Sequence, residues 1–179
     1  MTSPTSSTNP YVLLQYGVDP FNYEFETEDE QTAFTVTKAV QIPNMVIHLI
    51  REERWAVQYP EIMGPRNAFF YFGPSSSPGQ LAYGNGEPAP MLDYLQKKRE
   101  GSNSRYFTSQ NGKKVKWKSV SSQRMELWDG RNLCAVWEKV SPGFEYDAKV
   151  TFSQAGLSFV TEVLTTLTLN LAAKRLDFW

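Results

Sequence analysis

Cationic side chains are the residues of this sequence best suited to bind a ligand. Between Lys97 and Lys118 there are eight bases and a single acid, Glu100. Lys114, Lys116 and Lys118 alternate along the chain. On a β-strand they therefore share one face, while the residues between them point the other way.

A row of positive charge on an exposed strand attracts an anionic lipid head group or a phosphate backbone, at roughly 1 kcal/mol per side chain near an anionic surface. Arg105, on the other strand of a predicted hairpin, is expected to extend the row. The same lysines could instead form a solvated edge that prevents sheet-to-sheet pairing. The predicted ligand-binding residues are Arg105, Lys113, Lys114, Lys116 and Lys118, with a second cluster at Lys97, Lys98 and Arg99.

Nucleophilic chemistry has few candidates in this chain. The only histidine, His48, lies among apolar residues, which favours a place in the core or on a sheet face over a catalytic role. The only cysteine, Cys134, lies between two apolar residues and is expected to be buried and unreactive. We therefore predict no catalytic residue and no cofactor, and the sequence leans against an enzyme.

An acidic segment opposes the basic one. From Asp19 to Glu61 nine acids stand against three bases, so the molecule is expected to be electrically bipolar. The cluster from Glu24 to Glu30 has oxygen ligands for a hard cation such as calcium, but it lacks the glycine of a tight binding loop. A solvated acidic hairpin is the favoured interpretation, and no metal site is predicted.

Composition predicts one compact domain. The chain has 179 residues, 41% of them hydrophobic, and its net charge of −1 makes nucleic acid an unexpected partner. One cysteine and one histidine exclude an internal disulfide and a Cys/His zinc cluster within one chain.

Residues 1–18 are expected to form a disordered or extended Ser/Thr/Pro-rich tail, and residues 19–179 the domain. The lone thiol and the absence of glycosylation sites favour a cytoplasmic location, peripheral at membranes if lipids are bound.

Short apolar runs broken by Gly, Pro, Asn and Asp predict an antiparallel β-structure for most of the chain. The strongest turn signals are Asn111-Gly112 and Asp129-Gly130, because these pairs readily adopt the positive φ values of two-residue hairpins. We count roughly nine to twelve strands, a number that suits a barrel or a sandwich.

The segment from Leu157 to Arg175 departs from this pattern and predicts a helix. Its opposite side is also largely apolar, so the helix needs cover on nearly all sides. A membrane span is disfavoured by its length and by Glu162, and a coiled coil by its short heptad run. We favour a core helix enclosed by the strands, in which threonine hydroxyls bond back to helix carbonyls. Glu162 then needs a basic partner or an opening at the end of the barrel.

Several segments carry a resemblance to an uncharacterised domain family of basidiomycete fungi, from about Phe21 to the C-terminus. They are Tyr23–Thr27, Ala33–Thr37, Met63–Pro65, Asn67–Pro74, Tyr83–Gly86, Lys98–Ser102, Ser104–Phe107, Lys116–Lys118, Ala135–Trp137, Val160–Val163 and Thr165–Asn170. The architecture also resembles the tubby, LURP-one and phospholipid-scramblase-like barrels, in which about twelve strands wrap a central helix. That resemblance implies a mainly β barrel with a minor helical part, and phosphoinositide binding or lipid movement by analogy.

These observations predict an intracellular, non-enzymatic binding module for an anionic ligand, such as a phosphoinositide or another membrane-lipid head group. Three alternatives remain open. The acidic and basic hairpins could mediate protein contacts or self-association, and some of the 5 Trp, 9 Tyr and 11 Phe could stack on carbohydrate. The third is an enzyme with an unfamiliar site, for which the only candidates are Glu162 and the Asp and Tyr residues.

Overall fold

The structure is a computed structural model that describes residues 9–179 of the chain. It contains one antiparallel sheet of twelve strands, in the order β7-β6-β5-β4-β3-β2-β1-β12-β11-β10-β9-β8. The strands are β1 Tyr11–Asp19, β2 Asn22–Glu26, β3 Thr32–Val40, β4 Val46–Arg51, β5 Asn67–Tyr71, β6 Gln80–Tyr83, β7 Ala89–Pro90, β8 Ser104–Thr108, β9 Lys114–Ser121, β10 Arg124–Asp129, β11 Asn132–Lys139 and β12 Ala148–Phe152. The helices are α1 Glu53–Ala56, α2 Met91–Tyr94, α3 Gln154–Leu157 and α4 Val160–Arg175. The prediction of a mainly antiparallel β fold with a C-terminal helix is confirmed.

The first strand lies within the segment that the sequence assigned to a tail. Residues 11–18 belong to β1, which pairs with β2 on one side and β12 on the other, in the middle of the sheet. The strand forms there because Leu13 and Gln15 both point inward and are buried. The other part of that prediction, residues 1–8, lies outside the described residues.

Both predicted hairpins are present, but only the second has a two-residue loop, Gly130-Arg131; the first has a three-residue loop, residues 110–112. Gly112 and Gly130 have φ values of 80° and 58°, as their turns require. The first turn joins β8 to β9 and the second joins β10 to β11. The strand predicted from Glu145 is shorter than expected and begins at Ala148.

The two edge strands, β7 and β8, do not pair with each other, so strand pairing does not close the sheet into a barrel. A single antiparallel bridge, Gln96 to Tyr106, joins the segment after α2 to β8, with two hydrogen bonds of 2.8 Å. The physical reason for the gap is the shortness of β7. It has only two residues, and one of them, Pro90, has no N–H to donate.

Helix α4 is buried on nearly all its surface, as predicted. Thirteen of its sixteen residues are buried. Tyr23 of β2 shares a 2.6 Å hydrogen bond with Thr168, and Trp117 of β9 donates to Thr166 at 2.8 Å. β2 and β9 lie five places apart in the sheet, about 24 Å if the sheet were flat, whereas a helix with its side chains is about 10–12 Å wide. The sheet therefore curves around the helix.

The threonines of α4 keep their hydroxyls satisfied inside the core. Thr165, Thr166 and Thr168 each donate to a carbonyl one turn earlier, at 2.7, 3.0 and 2.8 Å. This confirms the predicted back-bonding for these three. The hydroxyl of Thr161 has no partner among the described residues.

The direction of α4 defines two ends of the sheet. Its first turn lies beside the β2–β3, β8–β9 and β10–β11 turns, at what we call the helix N-terminal end, and its last turn lies at the helix C-terminal end. Within residues 9–179, no helix combines the length and apolar character required to cross a bilayer.

Candidate functional site

A cavity of about 710 Å³ opens at the helix C-terminal end. We call it the basic cavity. Its walls come from the loop before β8, from β8, β9 and β10, and from the last turn of α4 with the residues that follow it. Its polar and charged lining residues are Lys97, Ser102, Asn103, Arg105, Ser119, Asn170 and Lys174, and its aromatic ones are Trp117, Phe178 and Trp179.

Arg105 reaches this cavity because of its register in the sheet. It pairs directly with Trp117 of β9, and directly paired residues share a face. Trp117 is buried against α4, so Arg105 points inward, half-buried, and the expectation that it extends the lysine row is wrong. Its guanidinium lies 4.4 Å from the ring centroid of Trp179. Desolvation lowers the pKa of Arg105, and no carboxylate within the described part of the chain forms a salt bridge with it.

Lys174 closes the cavity on its other side. It is exposed at the mouth, where its ammonium donates to the Ser119 hydroxyl at 3.2 Å. Desolvation and the nearby charge of Lys139 lower the pKa of Lys174. Its place in the last turn suits the negative end of the helix dipole, which explains part of its presence there. Lys97 and Arg105 are on other elements, so the dipole does not account for them.

A second cavity, of about 820 Å³, lies next to the first and shares Ser119 and Lys174 with it. Together the two cavities are lined by five cations and one carboxylate. The cations are Lys97, Arg105, Lys139, Lys174 and Arg175. The carboxylate, Asp147, accepts a hydrogen bond from the N–H of Gly17 at 2.8 Å. No acidic side chain of residues 9–179 lines the basic cavity itself.

The lysine row of Lys114, Lys116 and Lys118 lies on the outer face of β9, as the alternation predicted. The row is not purely basic. Lys118 pairs directly with Glu126 of β10, and Lys116 lies between Tyr106 and Trp128 on the neighbouring strands.

The other predicted cations are dispersed around this face. Lys113 forms a salt bridge with Asp129 at 3.1 Å. The ammonium of Lys98 lies 4.0 Å from the ring centroid of Tyr106, and Arg99 is exposed in the loop before β8. The predicted residues therefore divide between a cavity, which receives Lys97 and Arg105, and an outer surface that holds the rest.

The helix N-terminal end contains an isolated acid, Glu162. It is 3% exposed, and its Oε2 accepts from the backbone N–H of Gln110 at 3.2 Å. Burial raises the pKa of Glu162 to about 7, and it has no basic partner among the residues described. Burial and the charge of Glu162 also raise the pKa values of Tyr83 and Tyr94.

The remaining candidates occupy structural positions. The His48 ring stacks on Phe69 with centroids 4.1 Å apart and shares a 2.9 Å hydrogen bond with Asn67 on the outer face. Cys134 is buried, and burial raises the pKa of its thiol. Within the described residues, no three Cys, His, Asp or Glu side chains converge as a metal site would require.

Sequence reasoning missed Lys174, Lys139 and the role of Ser119 at the boundary of the two cavities. A usable signal was present for Lys174, because it is one of the few cations of an otherwise apolar helix. Lys174 is far from Arg105 in the sequence, so the structure was needed to bring the two together.

No known family model, curated protein or solved structure matches the chain.

Proposed function

We propose that the protein is a non-enzymatic binding module for an anionic ligand, held in the basic cavity. One observation carries the proposal: Lys97, Arg105 and Lys174 converge on a cavity that none of the described acidic side chains lines. Arg105 and Lys174 are partly desolvated and have no carboxylate partner among the described residues, so their N–H donors and positive charge are available to a ligand.

A phosphate-bearing head group fits this arrangement best. Arg105 offers a planar fork of donors that matches two oxygens of one phosphate, and the two lysines act as point charges on either side of it. Asn103 and Asn170 each donate one amide N–H to a backbone carbonyl, of Ser119 and Thr166, and each has a second N–H for a ligand hydroxyl group. A volume of about 710 Å³ lies within the usual range for small-molecule sites.

Membrane lipids are the source of that head group in this proposal. The lysine row would add a long-range attraction to an anionic bilayer, because each cation near such a surface contributes roughly 1 kcal/mol. The resemblance to tubby-like barrels, which include phosphoinositide binders, favours the same ligand class. An intracellular setting accords with the lone thiol, since phosphoinositide head groups face the cytoplasm.

The proposal includes a closed barrel. The hydrogen-bonded bridge between Gln96 and Tyr106 supports it, because it joins the two edges of the curved sheet at one point. Because this junction has a single bridge, the loop that begins with Lys97, directly after the bridge, would be free to adjust to a ligand.

Co-sedimentation with vesicles tests the proposal. The protein is incubated with phosphatidylcholine vesicles alone, with added phosphatidylserine, or with an added phosphoinositide, across a series of salt concentrations. We expect binding to the phosphoinositide vesicles that weakens as salt rises. Lys97→Gln combined with Arg105→Gln should reduce it by at least about tenfold, since a hydrogen bond to a charged group contributes roughly 1.5–3 kcal/mol.

Arg54→Gln combined with Arg131→Gln is the matched control, because it removes two exposed cations from the helix N-terminal end. This control should retain most of the binding. Equal losses in the two pairs would mean that net charge alone drives association, and no binding at low salt would refute the proposal. Salt-sensitive dimerisation or a glycan-dependent change in Trp fluorescence would then favour the protein-contact or carbohydrate alternatives.

A further inference from the structure

Exposed apolar side chains concentrate around the mouth of the basic cavity. Ten large hydrophobic residues of the described chain are exposed, and seven of them lie at the helix C-terminal end. These seven are Val18, Val40, Ile42, Tyr71, Leu92, Val120 and Phe144. We call them the apolar rim. Three others, Val57, Met63 and Leu133, lie at the helix N-terminal end.

The rim residues are on separate loops and strand ends. Val18 precedes the β1–β2 turn, Ile42 lies in the β3–β4 turn, and Phe144 lies in the β11–β12 loop. Their exposed fractions are 82%, 83% and 59%. Antiparallel pairing brings all three connections to the same end of the sheet. Val18 and Phe144 also line the second cavity, which confirms that two of these tips lie close together.

Cations occupy the spaces beside these tips. Lys139, Lys174 and Arg175 line the second cavity together with Val18 and Phe144. Leu92 lines the basic cavity together with Lys97. Apolar tips and positive charges therefore lie close together around these openings, with Asp147 as the one acid in the second cavity.

This arrangement fits a bilayer surface better than a folded protein partner. Protein interfaces usually require one contiguous apolar patch with a polar rim. Scattered apolar tips can each enter the boundary between head groups and acyl chains, while lysine and arginine stay at the level of the lipid phosphates. The five cations that line the two cavities complement an anionic leaflet, whereas Asp93 and Glu145, each next to a rim residue, oppose it.

We propose that the apolar rim inserts into an anionic lipid bilayer and seats the mouth of the basic cavity against it. The choice of a lipid surface rests on the proposed function, but insertion adds a contact that head-group binding does not require. A head group would enter the basic cavity from the membrane while the loop tips hold the protein in place.

The test compares two sets of apolar-to-serine substitutions. The rim variant combines Val18→Ser, Ile42→Ser and Phe144→Ser. The control variant combines Val57→Ser, Met63→Ser and Leu133→Ser at the opposite end. Partition onto phosphatidylcholine vesicles containing phosphatidylserine is measured for each. We expect the rim variant to partition on the order of a hundredfold more weakly than the wild type, because each tip loses part of its buried apolar area, and the control to change less than about twofold. Equal partition of the rim variant and the wild type, or an equal loss in the control, would overturn the proposal.

Two further measurements separate insertion from head-group binding and from misfolding. Soluble inositol trisphosphate, titrated without vesicles, should bind the rim variant as it binds the wild type. If the wild type does not bind inositol trisphosphate and the rim variant still partitions more weakly onto vesicles, the proposed function is wrong and the proposal of insertion is retained. In a folded single variant, Phe144→Trp, brominated acyl chains should quench more Trp emission than in the wild type, which has five Trp, and Leu133→Trp should show no quenching beyond that of the wild type. Equal quenching of the two, or none in either, would overturn insertion.

Discussion

The two ends of the buried helix differ in where the charged side chains around them lie. At the helix C-terminal end, five cations line two open cavities with one carboxylate among them, although the connecting segments there carry four acids and three bases. At the helix N-terminal end, the connecting segments carry seven acids and four bases. The acids are Glu28, Asp29, Glu30, Glu52, Glu53, Glu61 and Glu87, and the bases are Arg54, Arg66, Lys113 and Arg131. Here the one acid that faces the core, Glu162, is enclosed rather than open.

The contrast concerns how two of the buried or half-buried charged groups, Glu162 and Arg105, are balanced. Glu162 accepts a backbone N–H and titrates near neutral pH, so it can be accommodated as a neutral carboxyl without a ligand. Arg105 cannot be neutralised at any physiological pH. It faces an open cavity that no described acidic side chain lines, and this supports the proposal that an anion binds there.

The largest expected effect comes from neutralising Glu162. The pKa of Glu162 is raised to about 7 by burial, above the value of about 4.5 for a free carboxyl. The folded state therefore binds this proton more tightly than the unfolded state. Stability from this group is fully present below about pH 4.5 and is lost as the pH rises through 7. The loss amounts to about 3 kcal/mol at pH 8.

Glu162→Gln should remove this loss and raise the free energy of unfolding at pH 8 by about that amount. Urea unfolding at pH 5 and at pH 8 measures it. Glu28→Gln, an exposed acid at the same end, is the control and should leave the pH dependence unchanged. A pH dependence of the same size in Glu162→Gln would show that the carboxyl is ionised in the fold and would remove the contrast between the ends.

A carboxylate placed in the basic cavity should reduce the difference in charge between the two ends. Ser119 accepts from Lys174, so Ser119→Asp would pair that lysine internally. We expect a rise in stability of less than about 1 kcal/mol, because the pair is solvent-screened, and a loss of anion affinity of about tenfold. Thermal unfolding and inositol trisphosphate titration measure the two effects. Ser121→Asp adds the same charge to the strand without lining either cavity, and a comparable loss in this variant would contradict a local effect.

The smallest expected effect concerns the outer lysine row. Replacing Lys114, Lys116 and Lys118 with Gln should change the affinity for soluble inositol trisphosphate less than about threefold, since these side chains are on the face opposite the cavity and salt screens their charge. Vesicle binding by the same variant should become weaker and less dependent on salt. A loss of soluble-ligand binding as large as that of the cavity variants would move the site to the outer face.

The sequence was sufficient for the parts of the fold that depend on local pattern. The Asn111-Gly112 and Asp129-Gly130 turns, the alternation along β9 and the apolar helix were all predicted, because turn chemistry and periodicity are properties of neighbouring residues. The gap between the edge strands β7 and β8 was not predicted, because the sequence favoured a closed barrel and β7, with two residues, is too short to recognise from composition.

The candidate site needed information that no local pattern contains. Lys97 and Arg105 were selected for their charge, but the face on which Arg105 lies depends on its register against Trp117. A shift of one residue in that pairing would have placed Arg105 among the lysines of the row. Lys174 joins them only because α4 runs through the curved sheet and ends at the same opening.

Titration of soluble inositol trisphosphate into the wild type and into the Lys97→Gln, Arg105→Gln variant, without vesicles, tests the central claim most directly. Both proteins are first shown to unfold cooperatively at the same urea concentration. We predict salt-sensitive binding to the wild type and an affinity about a hundredfold lower in the variant, since two hydrogen-bonded cations are lost. Equal affinity in the two proteins, or no binding to the wild type at low salt, would contradict the assignment of the basic cavity as an anion site.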